Sequence, residues 1–117
     1  MIFVFGSNAK GLHAGGAARF AHLHKGAILG QGEGLQGDSY AVPTMEGFEG
    51  AFSGIQRFLE FAAINSEMQF QVTRLGCGIA GFTDAEIAPL FANAPANCLF
   101  DEAWREYLPT ASFWGSF

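Results

Sequence analysis

The sequence predicts an α/β fold, a three-layer α/β/α sandwich around a mixed, largely parallel sheet. Short apolar or alternating runs of strand length recur along the chain, and segments with helical spacing of apolar residues lie between them. Alternation of strands and helices is typical of a parallel sheet covered on both faces. Glycine, 16 of 117 residues, is present at about twice its usual share and gathers in three loops near predicted strand ends.

The first half of the chain supplies three predicted strands and one helix. Residues 2–5 are apolar throughout, as expected of a central strand buried on both faces. A glycine-rich stretch then leads into a helix that begins at Ala17. Residues 27–29 and 39–43 are predicted to form two further strands, separated by a glycine-rich loop over residues 30–38.

The second half begins with an amphipathic helix over residues 51–65, which has one apolar face. An alternating strand over residues 70–75 follows, and a second helix starts at Asp84. Residues 97–100 are predicted to form the last strand and residues 102–108 a last helical turn. No linker or repeat divides the sequence, so we expect one domain over residues 1–117.

Charge and cysteine content exclude several classes of protein. The net charge of −5 disfavours a role in coating nucleic acid. No apolar run approaches the roughly 20 residues that span a bilayer, and the N-terminus lacks the positive region of a signal peptide. Cys77 and Cys98 are too few for a disulfide framework. We therefore expect a cytoplasmic protein without a membrane partner, and no metal or cofactor, because no Cys/His/Asp group has zinc spacing.

The glycine-rich segment over residues 76–82 is the strongest functional signal. A predicted strand precedes it, and residues 83–86 after it have the spacing of a capping box. Free backbone N–H groups at such a strand-to-helix turn suit a phosphate, and glycine lets the ligand approach the backbone. The alternative is a tight turn that binds nothing.

A dinucleotide-binding fold of the Rossmann kind is one interpretation of this segment. It would explain Gly76, Gly78 and Gly81 and would offer Asp101 or Glu102 as the ribose acceptor. That turn should open the domain, however, and too little chain follows it to build the sheet.

Two segments together resemble the macro domain, a family that binds ADP-ribose. Residues 5–8, followed by the small-residue loop over residues 11–18, are similar to the early strand, asparagine and loop of that family. Residues 75–82 are similar to its second loop, and the Leu-Gly-Cys-Gly sequence is most similar to the subgroup that removes ADP-ribose from glutamate or from DNA bases. The chain is shorter than a typical macro domain and its middle loop, residues 30–38, has a sequence of its own, so it is more similar to small bacterial and phage macro-like proteins. The resemblance implies that both loops grip the diphosphate and distal ribose.

The predicted ligand-binding residues follow these segments, with additions from the middle of the chain. They are Gly6, Ser7, Asn8, Gly11, His13, Ala14, Gly15, Gly16, Gly37, Ser39, Tyr40, Thr44, Gly76, Cys77, Gly78, Ile79, Ala80, Gly81 and Phe82. For several of them a structural role is the alternative. Asn8 would then tie its own loop together, Tyr40 would fill the core, and Cys77 would pack under the loop instead of acting as a nucleophile.

Binding without catalysis and hydrolysis of ADP-ribosyl bonds are the two functions that the resemblance implies. In the lysine-dependent hydrolases of this family, the catalytic lysine is expected just after the Pro-Thr pair, where this chain has Met45. If the chain is a hydrolase, Glu33 or Asp38 is expected to activate water, and an exposed His13 is expected to act as acid or base. The ligand is expected to be an ADP-ribose-type small molecule or an ADP-ribosylated macromolecule.

The C-terminal tail over residues 109–117 is too aromatic to extend freely into water. We expect it to cover a groove or to pair with a second subunit in a homodimer. A protein-interaction module that uses this tail is a third functional class.

Overall fold

The computed structural model describes residues 1–116. Its elements in chain order are β1 (Ile2–Ser7), α1 (Gly16–His24), β2 (Gly34–Gln36), β3 (Ser39–Pro43), α2 (Gly47–Ile64), β4 (Phe70–Val72), α3 (Asp84–Ile87), a 3₁₀ turn (Ala88–Phe91), β5 (Cys98–Asp101), a second 3₁₀ turn (Glu102–Trp104) and β6 (Ser112–Gly115).

The strands form one 6-stranded sheet in the order β2-β3-β1-β4-β5-β6. β1 pairs in parallel with β3 and β4, and β4, β5 and β6 continue the parallel arrangement. β2 pairs antiparallel with β3 at one edge. The predicted α/β fold with a mixed, largely parallel sheet is therefore confirmed.

Alternation of side chains along β1 supplies both hydrophobic cores. Phe3 and Phe5 pack on one face with Ala21 of α1. Val4 packs on the other face with Phe58 of α2 and the aromatic residues that follow α3. All three β1 side chains are almost completely buried, as predicted for a central strand. Helices cover both faces of the sheet, which gives the three layers.

The middle of the chain differs from the prediction. Residues 27–29 form no strand, and Ile28 and Leu29 are more than half exposed. The backbone N–H of Ile28 instead donates to the side-chain oxygen of Gln36, at 2.6 Å. Gln36 belongs to β2, which lies inside the stretch predicted as a loop. The strand predicted over the apolar residues 27–29 is therefore wrong, because no neighbouring strand pairs with them.

Several element ends also differ. α2 begins at Gly47, earlier than predicted, and β4 ends at Val72. The helix predicted from Asp84 changes to a 3₁₀ turn at Ala88, because Pro89 has no N–H group with which to continue the α-helical hydrogen bonds. The predicted turn over residues 102–108 is reduced to Glu102–Trp104.

The C-terminal tail contributes β6, an edge strand parallel to β5. The Trp114 indole N–H donates to the carbonyl oxygen of Val72 at 2.9 Å, and the guanidinium carbon of Arg105 lies 4.3 Å from the Phe113 ring centroid. The tail is therefore held against its own sheet as an edge strand. Phe117 lies outside the described residues, and the homodimer stays a prediction. Across residues 1–116, no helix is both long and apolar enough to cross a membrane.

Candidate functional site

A cleft of about 570 Å³ lies at the carboxyl ends of β1, β3 and β4. One wall is the loop that enters α1, and the other is the glycine-rich segment after β4. Most predicted ligand-binding residues line it, namely Gly6, Ser7, Asn8, His13, Ala14, Gly15, Gly16, Thr44, Gly76, Cys77, Gly78, Ile79 and Ala80. The structure therefore brings together the two loops that the sequence analysis assigned to one ligand.

The two walls approach each other closely. A Cβ atom built on Gly15 would lie 3.5 Å from Cδ1 of Ile79 in the opposite wall. One built on Gly6 would lie 3.2 Å from the backbone nitrogen of Gly76, which is closer than most Cβ contacts. Glycine at position 6 therefore allows the end of β1 to lie against the second wall.

The N-terminus of α1 has no protein cap. Its N-cap residue is Gly15, no side chain bonds the first turn, and that turn holds no acidic residue. Among residues 1–116, no acceptor bonds the N–H groups of Gly16, Ala17 and Ala18, all of which line the cleft. The first N–H with an acceptor is that of Arg19. The positive end of the α1 dipole therefore faces the cleft without a protein partner.

The helix terminus predicted to serve the ligand was α3, and this is wrong. The Thr83 side chain accepts from the N–H of Glu86, and the Glu86 carboxylate accepts from the N–H of Thr83. This capping box closes the N-terminus of a helix of four residues, none of which lines the cleft. The unsatisfied helix end at the cleft belongs to α1.

The second wall uses only part of its N–H groups internally. Bonds within the loop engage the N–H groups of Cys77, Gly81 and Phe82 at 2.9–3.1 Å. In the described chain, no acceptor bonds those of Gly76, Gly78, Ile79 and Ala80. The loop is thus fixed by its own bonds while its tip keeps free donors.

The Asn8 side chain ties its own loop together. Its Oδ1 accepts from the backbone N–H of Leu12 at 3.1 Å, and its carbonyl oxygen accepts from the N–H of Gly11 at 3.0 Å. The structural role considered for Asn8 is therefore present. Its amide nitrogen has no acceptor within residues 1–116, so Asn8 can also donate to a ligand.

His13 is buried, with 3% exposure, which corrects the prediction of an exposed imidazole. Its ring packs edge-on against Phe5, and Nε2 lies 3.3 Å from Oε1 of Gln36. The Gln36 amide nitrogen donates to two carbonyl groups, so its oxygen is the acceptor and His13 Nε2 carries the hydrogen. Nδ1 is buried with no partner in the described residues.

Cys77 lines the cleft but is not activated. Burial, and then the negative charge of Asp84, raise the pKa of the Cys77 thiol to about 12. The helix terminus that was expected to lower it is already capped. The packing role is therefore favoured over the nucleophile.

Arg74 is a charged residue that lines the cleft and that the sequence analysis did not identify. Its Nε and Nη2 donate to Oδ1 and Oδ2 of Asp84, at 2.8 and 2.6 Å. The guanidinium group is the main cause that lowers the pKa of Asp84. Arg74 was hidden in the predicted strand over residues 70–75, and its position just before the glycine-rich segment was the available signal.

The two predicted catalytic carboxylates lie outside the cleft lining. Asp38 precedes β3, at the amino end of the parallel strands, where its carbonyl oxygen accepts from Phe3. Glu33 precedes the edge strand β2 and forms a forked ion pair with Arg57 of α2. The lining contains no Asp or Glu, so the structure does not bring either carboxylate to the loops.

The remaining predicted ligand residues also lie outside the lining, each with a structural role. Tyr40 packs in the core between Phe58 and Phe61. The Phe82 ring packs against Phe48. Gly37 and Ser39 belong to the amino end of β3, Gly11 to the turn after Asn8, and Gly81 to a bond within the second loop. Residues that line the cleft without having been predicted are Leu12, Ala17, Ala18, Met45, Thr73, Arg74 and Leu75.

Comparisons with protein families, with curated proteins and with solved structures each find no match for this chain. The likeness to the macro domain therefore stays a prediction carried by the two loops. Within residues 1–116, no group of three or more His, Cys, Asp or Glu residues could hold a metal ion.

Proposed function

We propose that this chain binds ADP-ribose or a closely related NAD-derived nucleotide, free or attached to a macromolecule. The main support for this proposal is the uncapped N-terminus of α1, which faces the free N–H groups of the second wall across the cleft. Donors on two opposed walls suit a diphosphate, which has acceptor oxygens on both sides. The cleft volume is within the usual range for small-molecule sites, about 300–1,000 Å³.

The charge of the lining supports an anionic ligand. The protein carries a net charge of −5, yet the lining contains no carboxylate and includes Arg74. An anion in the cleft therefore meets backbone donors and one cation without direct repulsion from an acidic side chain. We further propose that the protein is cytoplasmic, which its two free thiols favour.

Binding is favoured over hydrolysis as the function. Water activation by a carboxylate needs Asp or Glu within reach of the ligand, and the lining contains neither. Hydrolysis remains the second candidate because His13 lines the cleft with Nδ1 unpartnered. A time course with mono-ADP-ribosylated protein or DNA separates the two. Binding without release of ADP-ribose supports the first candidate, and release that stops in His13→Ala supports the second.

Calorimetry and thermal shift with ADP-ribose, NAD, AMP and cyclic ADP-ribose test the binding directly. At a ligand concentration 100 times the Kd, the folded state gains about 2.7 kcal/mol. That corresponds to a rise in Tm of about 10 °C for a domain of this size. No shift and no heat with any of the four ligands would refute the proposal.

The substitution Gly15→Asp tests the role of the uncapped α1 N-terminus. Gly15 has an extended backbone, with φ −155° and ψ 165°, so an aspartate can take the N-cap position and bond the free N–H groups. The unliganded protein should gain about 0.5–1 kcal/mol, because the carboxylate satisfies the helix end. Affinity for ADP-ribose should fall at least about tenfold, because the new carboxylate occupies the anion site and repels the ligand.

Gly15→Asn is the matched control, because it has the same size and caps the helix without charge. It should retain more affinity than Gly15→Asp. Equal losses in the two variants would assign the effect to bulk, and unchanged affinity in Gly15→Asp would contradict the role of the α1 terminus.

A further inference from the structure

Arg74 is the one arginine or lysine among the residues that line the cleft. Its side chain is 45% exposed, so a ligand can reach it. Two of its three nitrogen atoms, Nε and Nη2, bond Asp84. Nη1 bonds nothing within residues 1–116, which leaves the two hydrogens of one guanidinium nitrogen available.

Asp84 holds the guanidinium group in a defined orientation. Its Oδ1 also accepts from the indole N–H of Trp104 at 2.7 Å, and Trp104 is fully buried. The carboxylate is therefore anchored to the core by a rigid side chain. Because the Arg74 fork bonds both carboxylate oxygens, the guanidinium plane is fixed and the direction of its free edge is fixed with it.

Two other arginine–carboxylate pairs show what is special about this one. Arg57 forms the same fork with Glu33, and Arg105 forms it with Glu102. The arginine side chains of those pairs are 51% and 58% exposed, close to Arg74. Neither of those arginines lines the cleft. The pairs are alike in local chemistry and differ in the surface that they face.

We propose that Arg74 binds a phosphate oxygen of the ligand through Nη1, as the side-chain donor that supplements the backbone N–H groups. This assignment rests on the proposed function and adds a discriminating residue to it. Backbone N–H groups donate to any suitably placed acceptor, whereas a charged guanidinium edge favours an anionic oxygen. The cleft should therefore distinguish phosphorylated nucleotides from the corresponding nucleosides.

The Asp84 carboxylate limits the contribution to short range. The pair is close to neutral, so it exerts little attraction at a distance. The free Nη1 hydrogens nevertheless point away from Asp84, so a phosphate that bonds them meets the positive edge first. Loss of one hydrogen bond to a charged group should weaken binding about tenfold.

Calorimetry with ADP-ribose and competition with adenosine test this in the full chain. Arg74→Gln should bind ADP-ribose about tenfold more weakly while its affinity for adenosine changes less than about twofold. Arg57→Gln is the matched control, because it removes the same kind of fork on another surface. Its affinities should equal those of the unchanged protein. The Tm of each variant checks that it is folded.

Three results would overturn the assignment. These are an unchanged ADP-ribose affinity in Arg74→Gln, an equal loss for ADP-ribose and adenosine, and an equal loss in Arg57→Gln. If Arg74→Gln does not fold, Arg74→Lys decides, because it keeps the charge and lacks the fork. A lower ADP-ribose affinity in Arg74→Lys supports the assignment, and an unchanged one refutes it. If the unchanged protein does not bind ADP-ribose, the proposed function itself fails.

Discussion

Replacing Gly32 with alanine should destabilise the protein through a backbone collision. A Cβ atom at this position would overlap the carbonyl oxygen of Asn8 and lie 2.6 Å from that of Ala9. Both are main-chain atoms, so relief requires a shift of the segment between β1 and the turn that Asn8 closes. Overpacking of this kind costs about 1–3 kcal/mol, and a domain of this length loses about 4 °C in Tm per kcal/mol.

Thermal unfolding should therefore show a Tm lower by about 4–12 °C in Gly32→Ala. Gly78→Ala is the control, because a Cβ there meets nothing within 4 Å. Its Tm should match or slightly exceed that of the unchanged protein, since alanine restricts the unfolded chain. Its affinity for ADP-ribose should fall, because the methyl group enters the cleft wall. A Tm for Gly32→Ala within about 1 °C of the unchanged protein would refute the reasoning.

Three further predictions concern ionisable side chains. The thiol of Cys77, whose pKa is raised to about 12, should react with iodoacetamide more slowly at pH 7.5 in the folded than in the urea-unfolded protein; equal rates would contradict its packing role. The pKa of Asp84 is lowered from 3.8, so the stability that it contributes is present above that value and is lost as the pH falls through the folded pKa. The Tm difference between the protein and Asp84→Asn should accordingly shrink below about pH 4, and a difference that grows there would contradict the ion pair. Asp38→Ala and Glu33→Gln should each bind ADP-ribose with unchanged affinity in calorimetry, because neither side chain lines the cleft, and a tenfold loss would show that the ligand extends to them.

Local sequence patterns were sufficient for most of the fold. The apolar run of β1, the apolar face of α2 and the capping box at Thr83 each depend on interactions over a few residues. Such patterns can be found in the sequence because their period or spacing is fixed by backbone geometry. The parallel sheet followed from their order along the chain.

The errors arise where the partner is distant in sequence. The side chain of Gln36 accepts from the N–H of Ile28, and a hydrophobic pattern does not reveal such a bond. The strand was therefore predicted before the glycine-rich loop, at residues 27–29, instead of within it at β2. Asp38 was considered catalytic because it lies in a glycine-rich loop, yet it directly precedes β3, at the end of that strand remote from the cleft. The antiparallel pairing of β2 with β3, which local patterns do not encode, decides which residues of that loop lie near the cleft.

The choice between α1 and α3 at the site has a similar cause. The capping box that helped to locate α3 engages the N–H groups of Thr83 and Glu86, whereas no such signal precedes Gly16 and the α1 terminus is uncapped. A strong cap marks a helix start and removes it as an anion site. Weak capping next to a glycine-rich loop is the more useful indication.

Because the Trp104 indole bonds Asp84, its fluorescence should respond to a charged ligand in the cleft. Trp104 is buried and lies one carboxylate away from Arg74, so charge that arrives in the cleft changes the electric field at the indole. Trp114 is the other tryptophan and bonds the backbone of β4, so Trp114→Phe would leave a single emitter. Fluorescence titration of that variant would follow occupancy without any attached dye.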